Sequence, residues 1–187
     1  ERVLLLKDAY VKDAAWIRGK EAVMCATLSS DAEQLTVLQL AADGSEMRQV
    51  WRQPYGKISG VRCSPDGAHI CYVRDKEVVC ESTITAAKHT IVSCRDPYKV
   101  DCVWSRDGTQ VAVFIADNAP QVVLFSLADH RLVVVPLRLG RTDEVLLRPL
   151  GWRDDEFLFS AAGYCEPSER QLWSVRLGSQ SSGRASG

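Results

Sequence analysis

A short turn motif followed by an apolar run recurs in this chain and constrains its fold more than any other feature. The motif is Cys-Ser-Pro-Asp-Gly at residues 63–67 before the apolar run 68–73, and Trp-Ser-Arg-Asp-Gly at residues 104–108 before 110–115. A weaker copy, Trp-Arg-Asp-Asp, stands at 152–155. Pro and Asp favour tight turns, and Gly tolerates the positive φ needed to leave them. A turn between apolar runs predicts a β-hairpin, and its recurrence predicts a repeat protein.

The repeat has the period of a four-stranded sheet. Aligning Trp16, Cys63, Trp104 and Trp152 gives steps of 47, 41 and 48 residues, within the range of propeller blades. No segment shows a helical apolar rhythm, so helix should be nearly absent. We therefore expect an all-β fold, a β-propeller of four-stranded antiparallel blades, with about four blades in this chain. The blades are predicted at residues 14–53, 58–94, 100–137 and 146–177.

The two ends of the chain have different predicted roles. The fourth repeat lacks an outer strand of its own, and the apolar residues 1–6 could supply it and close a ring. Otherwise the four blades are part of a larger propeller, and an open sheet edge would pair with a partner because its backbone groups lack hydrogen bonds. Residues 178–187 are Gly- and Ser-rich and predict a flexible tail.

Several packing details follow from the repeat. The second strand of each unit is the most apolar and should be buried on both faces, whereas the third and fourth strands, such as 121–126, alternate more and suit outer positions. The aligned Trp16, Trp104 and Trp152 should pack between blades. A two-residue loop at residues 75–76 would place Cys71 opposite Cys80 as neighbouring thiols.

The turn signature, the following apolar strand, and the segment Leu-Thr-Val-Leu-Gln-Leu before Asp-Gly-Ser at residues 43–45 resemble TolB-like and WD-repeat-like β-propeller repeats. The Gly-His and Trp-Asp pairs typical of WD repeats are absent from the sequence, so the TolB-like type fits better. The resemblance implies blade architecture. Its members include periplasmic scaffolds, intracellular interaction platforms and the non-catalytic propeller of prolyl oligopeptidase-type peptidases, so function must be argued separately.

Composition limits the classes of partner. With 23 basic and 24 acidic residues, the chain has a net charge of −1, which argues against nucleic-acid binding. No apolar run approaches the length that spans a bilayer, so no membrane partner is expected. The seven cysteines lack metal-binding spacing and favour buried thiols in a reducing, cytoplasmic setting. The other hypothesis for the cysteines is an extracytoplasmic scaffold with one disulfide, which would require a signal peptide upstream.

Motifs that carry chemistry are absent from the sequence. It contains no nucleophile elbow, Walker loop or dinucleotide fingerprint. His69, His89 and His130 are too few and too separated in sequence to predict a metal site. Asp66 and Asp107 are expected to stabilise their turns by accepting backbone hydrogen bonds. We therefore expect no enzyme activity, no catalytic residues, no cofactor and no metal.

The leading hypothesis is a non-enzymatic protein-interaction platform, in which rigid blades present variable loops at one rim. Three loops precede the first strand of a blade: 55–57, 95–99 and 139–143. They should gather on one face and bind protein partners. The candidate partner-binding residues are Tyr55, Lys57, Arg95, Tyr98, Lys99 and Arg141. The alternative is the substrate-gating propeller of a prolyl oligopeptidase-type serine peptidase, with its catalytic domain outside this chain.

Overall fold

The computed structural model describes residues 10–137, 145–153, 156–163 and 171–176. Four antiparallel sheets and two three-residue 3-10 turns account for the regular structure in these segments, in agreement with the predicted all-β propeller. The strand predicted at residues 1–6, the loop 139–143 with Arg141, and the tail at 178–187 lie outside the described residues.

The first two blades are four-stranded meanders in which each strand pairs with the next along the chain. The strands of blade 1 and then of blade 2 are β1 (Tyr10–Trp16), β2 (Ala22–Leu28), β3 (Gln34–Ala41), β4 (Met47–Pro54), β5 (Ile58–Cys63), β6 (His69–Arg74), β7 (Glu77–Ser82) and β8 (Lys88–Ser93).

Blade 3 repeats this arrangement, and blade 4 has three strands among the described residues. The strands are β9 (Val100–Trp104), β10 (Gln110–Ile115), β11 (Gln121–Ser126) and β12 (Leu132–Pro136) in blade 3, and β13 (Val145–Arg153), β14 (Glu156–Gly163) and β15 (Gln171–Arg176) in blade 4.

The blades pack face to face, and one apolar cluster fills each of the three interfaces between successive blades. Met24 and Val37 of blade 1 meet Ile70 and Tyr72 of blade 2. The next two interfaces are built in the same way, from blades 2 and 3 and from blades 3 and 4. Because a blade in the middle has a neighbour on each side, its central strands must be apolar on both faces.

This sandwiching corrects one prediction. β6 and β10 are buried on both faces, as expected for second strands, but the third strands β7 and β11 are buried as well. In β11 the four residues 122–125 are all buried. The alternation predicted for 121–126 is wrong because blades 2 and 4 cover opposite sides of this strand. Alternation begins at the outer strand β12.

The β6–β7 hairpin confirms the predicted register. Asp75 and Lys76 form its two-residue loop with φ values of 49° and 79°, the positive φ that a tight hairpin turn of this kind requires. Cys71 therefore pairs with Cys80 across the strands. All six cysteines in the described residues are free thiols, and each is buried.

The recurring turn is held by its Ser and Asp side chains, as predicted for Asp66 and Asp107. In the blade 3 copy, the Ser105 hydroxyl donates to the Asp107 carboxylate at 2.7 Å, and Thr109 N donates to the same oxygen at 3.1 Å. The Ser64–Asp66 turn has the same connections, with Ala68 N donating to Asp66 Oδ1 at 3.0 Å. The motif thus closes the hairpin between the first and second strands of a blade.

Candidate functional site

Two of the three predicted loops lie together at one rim of the propeller. The 3-10 turns Tyr55–Lys57 and Pro97–Lys99 each connect an outer strand to the first strand of the next blade. Together with the β6–β7 hairpin loop they border a depression of about 380 Å³. We call this the rim depression; its lining residues are Tyr55, Gly56, Ile58, Ser59, Asp75, Lys76, Pro97 and Tyr98.

Hydrogen bonds fix the shape of the 95–99 loop. The Asp96 carboxylate accepts from Tyr98 N at 2.9 Å, which caps the short 3-10 turn. Arg95 N donates to the Asp117 carboxylate at 3.0 Å, and the Ser59 hydroxyl donates to the Pro97 carbonyl at 3.4 Å. These bonds connect the loop to blades 2 and 3, so contacts within the chain fix its conformation.

The rim depression has aromatic groups at its border. Tyr98 is 88% exposed although its backbone is held in place. Tyr55 is half-buried, and the Lys12 ammonium lies 5.5 Å from its ring centroid, within cation–π range. A rigid backbone that exposes a tyrosine is the kind of surface found at protein interfaces, where large aromatic side chains contribute much of the binding energy.

The predicted partner-binding residues divide by position. Tyr55 and Tyr98 line the rim depression, whereas Arg95 and Lys99 belong to its loop without lining it. Lys57 lies in the first 3-10 turn. Arg141 falls outside the described residues, so the third predicted loop is not located.

Sequence reasoning missed Asp75 and Lys76, although a signal was present. In an antiparallel meander, the loop between the second and third strands lies at the same end of the sheet as the connection to the next blade. The β6–β7 loop at residues 75–76 therefore had to reach the rim that carries the 55–57 and 95–99 loops.

A second cavity, of about 390 Å³, lies among the inner strands β1, β5, β9 and β13. Three of its charged side chains have partners there: Arg62 Nη2 lies 2.7 Å from Asp101 Oδ1, and the Asp13 carboxylate accepts from Cys63 N at 2.8 Å. Burial raises the pKa of the Asp13 carboxyl. These contacts join blades 1, 2 and 3 through their inner strands, so the cluster is primarily a connection between blades.

The thiols of the described residues are buried, whereas the three histidines are partly or fully exposed. Burial raises the pKa of Cys80 to about 12, so its thiol is neutral at ordinary pH and a poor nucleophile. The structure does bring together His89 and His130, which are distant in sequence, with ring centroids 4.0 Å apart. Even so, no three metal-ligating side chains cluster anywhere in the described segments. Nor do these segments contain a helix long and apolar enough to cross a bilayer.

Comparison with known proteins supports the fold alone. No family model matches the chain, and no curated protein matches its sequence. Among solved structures, the β-propeller domain of the Trilobed protease from Pyrococcus furiosus is 15% identical, with a TM-score of 0.55 over 82% of this chain. An oligogalacturonate lyase from Vibrio parahaemolyticus is 13% identical, with a TM-score of 0.58 over 90% of this chain.

A dipeptidyl peptidase 4 from Porphyromonas gingivalis is 12% identical, with a TM-score of 0.57 over 89% of this chain. The chain spans about half the length of the protease propeller domain and of the lyase, 49% and 51%. The four sheets, their sequential pairing and these matches define the class of this protein: it is a β-propeller, in whole or in part.

Proposed function

We propose that this chain is a non-enzymatic protein-interaction platform whose binding surface is the rim depression. The observation that carries the proposal is the pairing of a fixed loop backbone with an 88% exposed tyrosine, Tyr98. An exposed tyrosine on a mobile loop would lose side-chain and backbone freedom on binding, and the hydrogen bonds of Asp96 and Ser59 reduce that loss.

The chemistry of the rim depression favours a protein partner. Its border combines the Tyr98 ring with the half-buried Tyr55, and the hairpin residues Asp75 and Lys76 add one charge of each sign. Mixed charge with exposed aromatic groups suits a polar protein surface that contributes an apolar side chain at its centre. The proposal places the protein in the cytoplasm, and the six free cysteines are compatible with a reducing compartment.

Site-specific photocrosslinking tests the proposal. A photoreactive phenylalanine analogue at position 98 should capture a discrete protein from the source cells. The same analogue at Ile84, an exposed residue in the β7–β8 loop at the opposite end of blade 2, is the matched control and should not capture it. Tyr55→Ala should reduce capture from position 98 because it removes the second aromatic side chain of the rim depression. Capture of the same proteins from positions 84 and 98, or capture unaffected by Tyr55→Ala, would contradict the proposal.

A different observation distinguishes the peptidase alternative from the platform proposal. A gating propeller acts on a catalytic domain of the same polypeptide, so the full-length gene would encode a hydrolase domain with a G-x-S-x-G nucleophile elbow. Identities of 12% to peptidases are too low to assign this activity. A hydrolase domain in the gene would replace the platform proposal with the gating one.

A further inference from the structure

All three histidines of the chain converge where blades 2 and 3 meet. His69 begins β6 and His89 lies in β8, both in blade 2, whereas His130 lies in the turn between β11 and β12 of blade 3. The rings of His89 and His130 have centroids 4.0 Å apart, and the His69 ring lies 6.3 Å from the ring of Trp104 in blade 3. The interface between blades 1 and 2 therefore contains no histidine.

The sheet of blade 2 directs His89 toward blade 3. His89 is the cross-strand partner of Cys80, which itself pairs with Cys71. Both cysteines are buried in the apolar cluster between blades 2 and 3, and residues paired across strands lie on the same face of a sheet. His89 therefore lies on the face that packs against blade 3, where it is half-buried.

The turn of blade 3 brings His130 to the same place. Its φ of 53° lies in the left-handed region, and its ring stacks on Phe125 with centroids 6.0 Å apart and an angle of 8° between the planes. The His89 ring lies 6.2 Å from the same phenyl ring. The two imidazoles thus meet across the interface, each beside Phe125.

The charged groups of blade 3 around this pair do not neutralise it. The Asp129 carboxylate accepts from Arg131 N at 3.2 Å within its own turn. In the turn between β9 and β10, the Asp107 carboxylate accepts from the Ser105 hydroxyl. Arg131 follows His130 in the chain and adds a positive charge to this turn.

In blade 2, the charged groups also have other partners. Glu81 accepts from the Tyr72 hydroxyl at 2.7 Å and lies 3.5 Å from the Lys88 ammonium, on the face toward blade 1. One carboxylate lies within ion-pair distance of a histidine in the described segments: Asp66 Oδ2, 4.0 Å from His69 Nδ1. The pair of His89 and His130 has no such partner there.

His69 shows how this interface treats a charged imidazole. Its Nδ1 is buried and forms no hydrogen bond within the described part of the chain. Burial lowers the pKa of His69 below its ordinary value of 6.5; Asp66 opposes this shift and His89 adds to it. The unfolded chain then binds a proton at a higher pH than the folded chain does, so stability falls as the pH decreases through 6.5.

We propose that the contact between blades 2 and 3 is a pH-sensitive joint, closed while His89 and His130 are neutral and loosened when acid protonates both. Two positively charged imidazoles with centroids 4.0 Å apart repel each other. Histidine is the side chain that changes charge between about pH 5 and pH 8, so the response falls in that range. The joint lies at the end of the blades opposite the rim depression, and the inference does not depend on what binds there.

Hydrogen exchange of the whole chain, followed by mass spectrometry, tests where acid acts. Between pH 7.5 and pH 5.5, after correction for the intrinsic exchange rate, residues 88–93 and 126–132 should lose protection roughly tenfold, the equivalent of about one pKa unit. The contact between blades 1 and 2, followed at residues 22–28, is the internal control and should keep its protection. Equal loss at both interfaces, or no loss at 88–93, would overturn the proposal.

Variants of the pair test whether these two rings cause the response. His89→Gln removes one titrating ring, and His130→Asn removes the other with a residue that tolerates positive φ. The double variant should keep its protection at residues 88–93 at pH 5.5, and so should His130→Asn alone, which changes an exposed position and also removes the repulsion. Circular dichroism at pH 7.5 checks that each variant folds.

Thr90→Ala is the matched control, because it changes an exposed residue next to His89 without changing a charge. It should lose protection at pH 5.5 as the wild type does. A double variant and a His130→Asn variant that lose as much protection as the wild type would refute the joint.

Discussion

Trp104 and Trp16 occupy the same repeat position, yet one is 8% exposed and the other 66%. Both end the first strand of a blade. The difference lies in what faces the indole ring. Blade 2 covers Trp104 and accepts its indole hydrogen bond, whereas no described residue does the same for Trp16. The repeat therefore specifies the side chain, and the preceding blade specifies its burial.

The turn glycines show the same contrast. Gly108 and Gly19 have nearly equal φ values, 77° and 73°. A Cβ on Gly108 would lie 2.9 Å from Asp66 Cγ in the preceding blade, whereas a Cβ on Gly19 would meet nothing within 4 Å among the described residues. At Gly19 the glycine answers a backbone requirement alone. At Gly108 it also allows two blades to approach.

The largest expected effect is the loss of stability from Trp104→Ala. Truncating a buried tryptophan leaves a cavity in the interface between blades 2 and 3 and orphans the Arg62 carbonyl, at a cost of about 3–5 kcal/mol in the free energy of unfolding. Trp16→Ala should change it by less than about 0.5 kcal/mol, as for other exposed substitutions. Urea unfolding measures the free energy of both variants.

Trp104→Phe is the control that separates packing from the hydrogen bond. It keeps a ring in the interface and removes the donor, so it should cost less than the alanine variant. Equal losses for Trp104→Ala and Trp16→Ala would mean that the first blade also buries its tryptophan in solution.

A smaller effect is expected at the glycines. Gly19→Ala should cost about 1 kcal/mol, because alanine disfavours positive φ. Gly108→Ala should cost about 1–3 kcal/mol more, since Asp66 must also move. Thermal unfolding of the two variants gives the difference directly. Equal costs at the two positions would show that the turns of blades 2 and 3 are not in close contact.

Local chemistry made much of the fold predictable. The Asp75–Lys76 loop determined the pairing of Cys71 with Cys80, because a two-residue hairpin leaves one register. The Ser-x-Asp-Gly turn predicted its own hydrogen bonds, which Asp107 makes within two residues. Both inferences depend on neighbours in sequence, which is why they could be made without knowing how the blades meet.

Predictions that depended on neighbours in space were less accurate. Trp16 was predicted to pack between blades and is 66% exposed, because the described residues include no blade before blade 1. The strand 121–126 was predicted to alternate and is buried, because two blades cover it. At the rim, the 55–57 and 95–99 loops were found from the sequence. Lys76 was missed because its loop joins them only through the topology of the sheet.

The smallest expected effect concerns the Asp107 carboxylate in the turn of blade 3, and it depends on pH. The corresponding turn of blade 1, Arg-Gly-Lys at residues 18–20, has no such carboxylate. The Ser105 hydroxyl, with Thr109, lowers the pKa of Asp107 below its ordinary value of 3.8. A carboxyl group whose pKa is lower in the folded than in the unfolded protein stabilises the fold at pH values above its unfolded pKa. That contribution is lost as the pH falls through the folded pKa. Asp107→Asn should therefore cost about 0.5 kcal/mol at pH 7, the low end for a hydrogen bond near solvent.

The difference in unfolding free energy between wild type and Asp107→Asn should shrink as the pH falls below about 3.8, because the wild-type carboxylate then becomes protonated. Urea unfolding at pH 7 and pH 3 measures it. Glu21→Gln removes a negative charge beside the first blade's turn and serves as the control, since no described side chain bonds to that carboxylate. A difference that stays constant with pH would mean that Asp107 acts through its shape and not its charge. The turn would then depend on its glycine, as the turn of the first blade does.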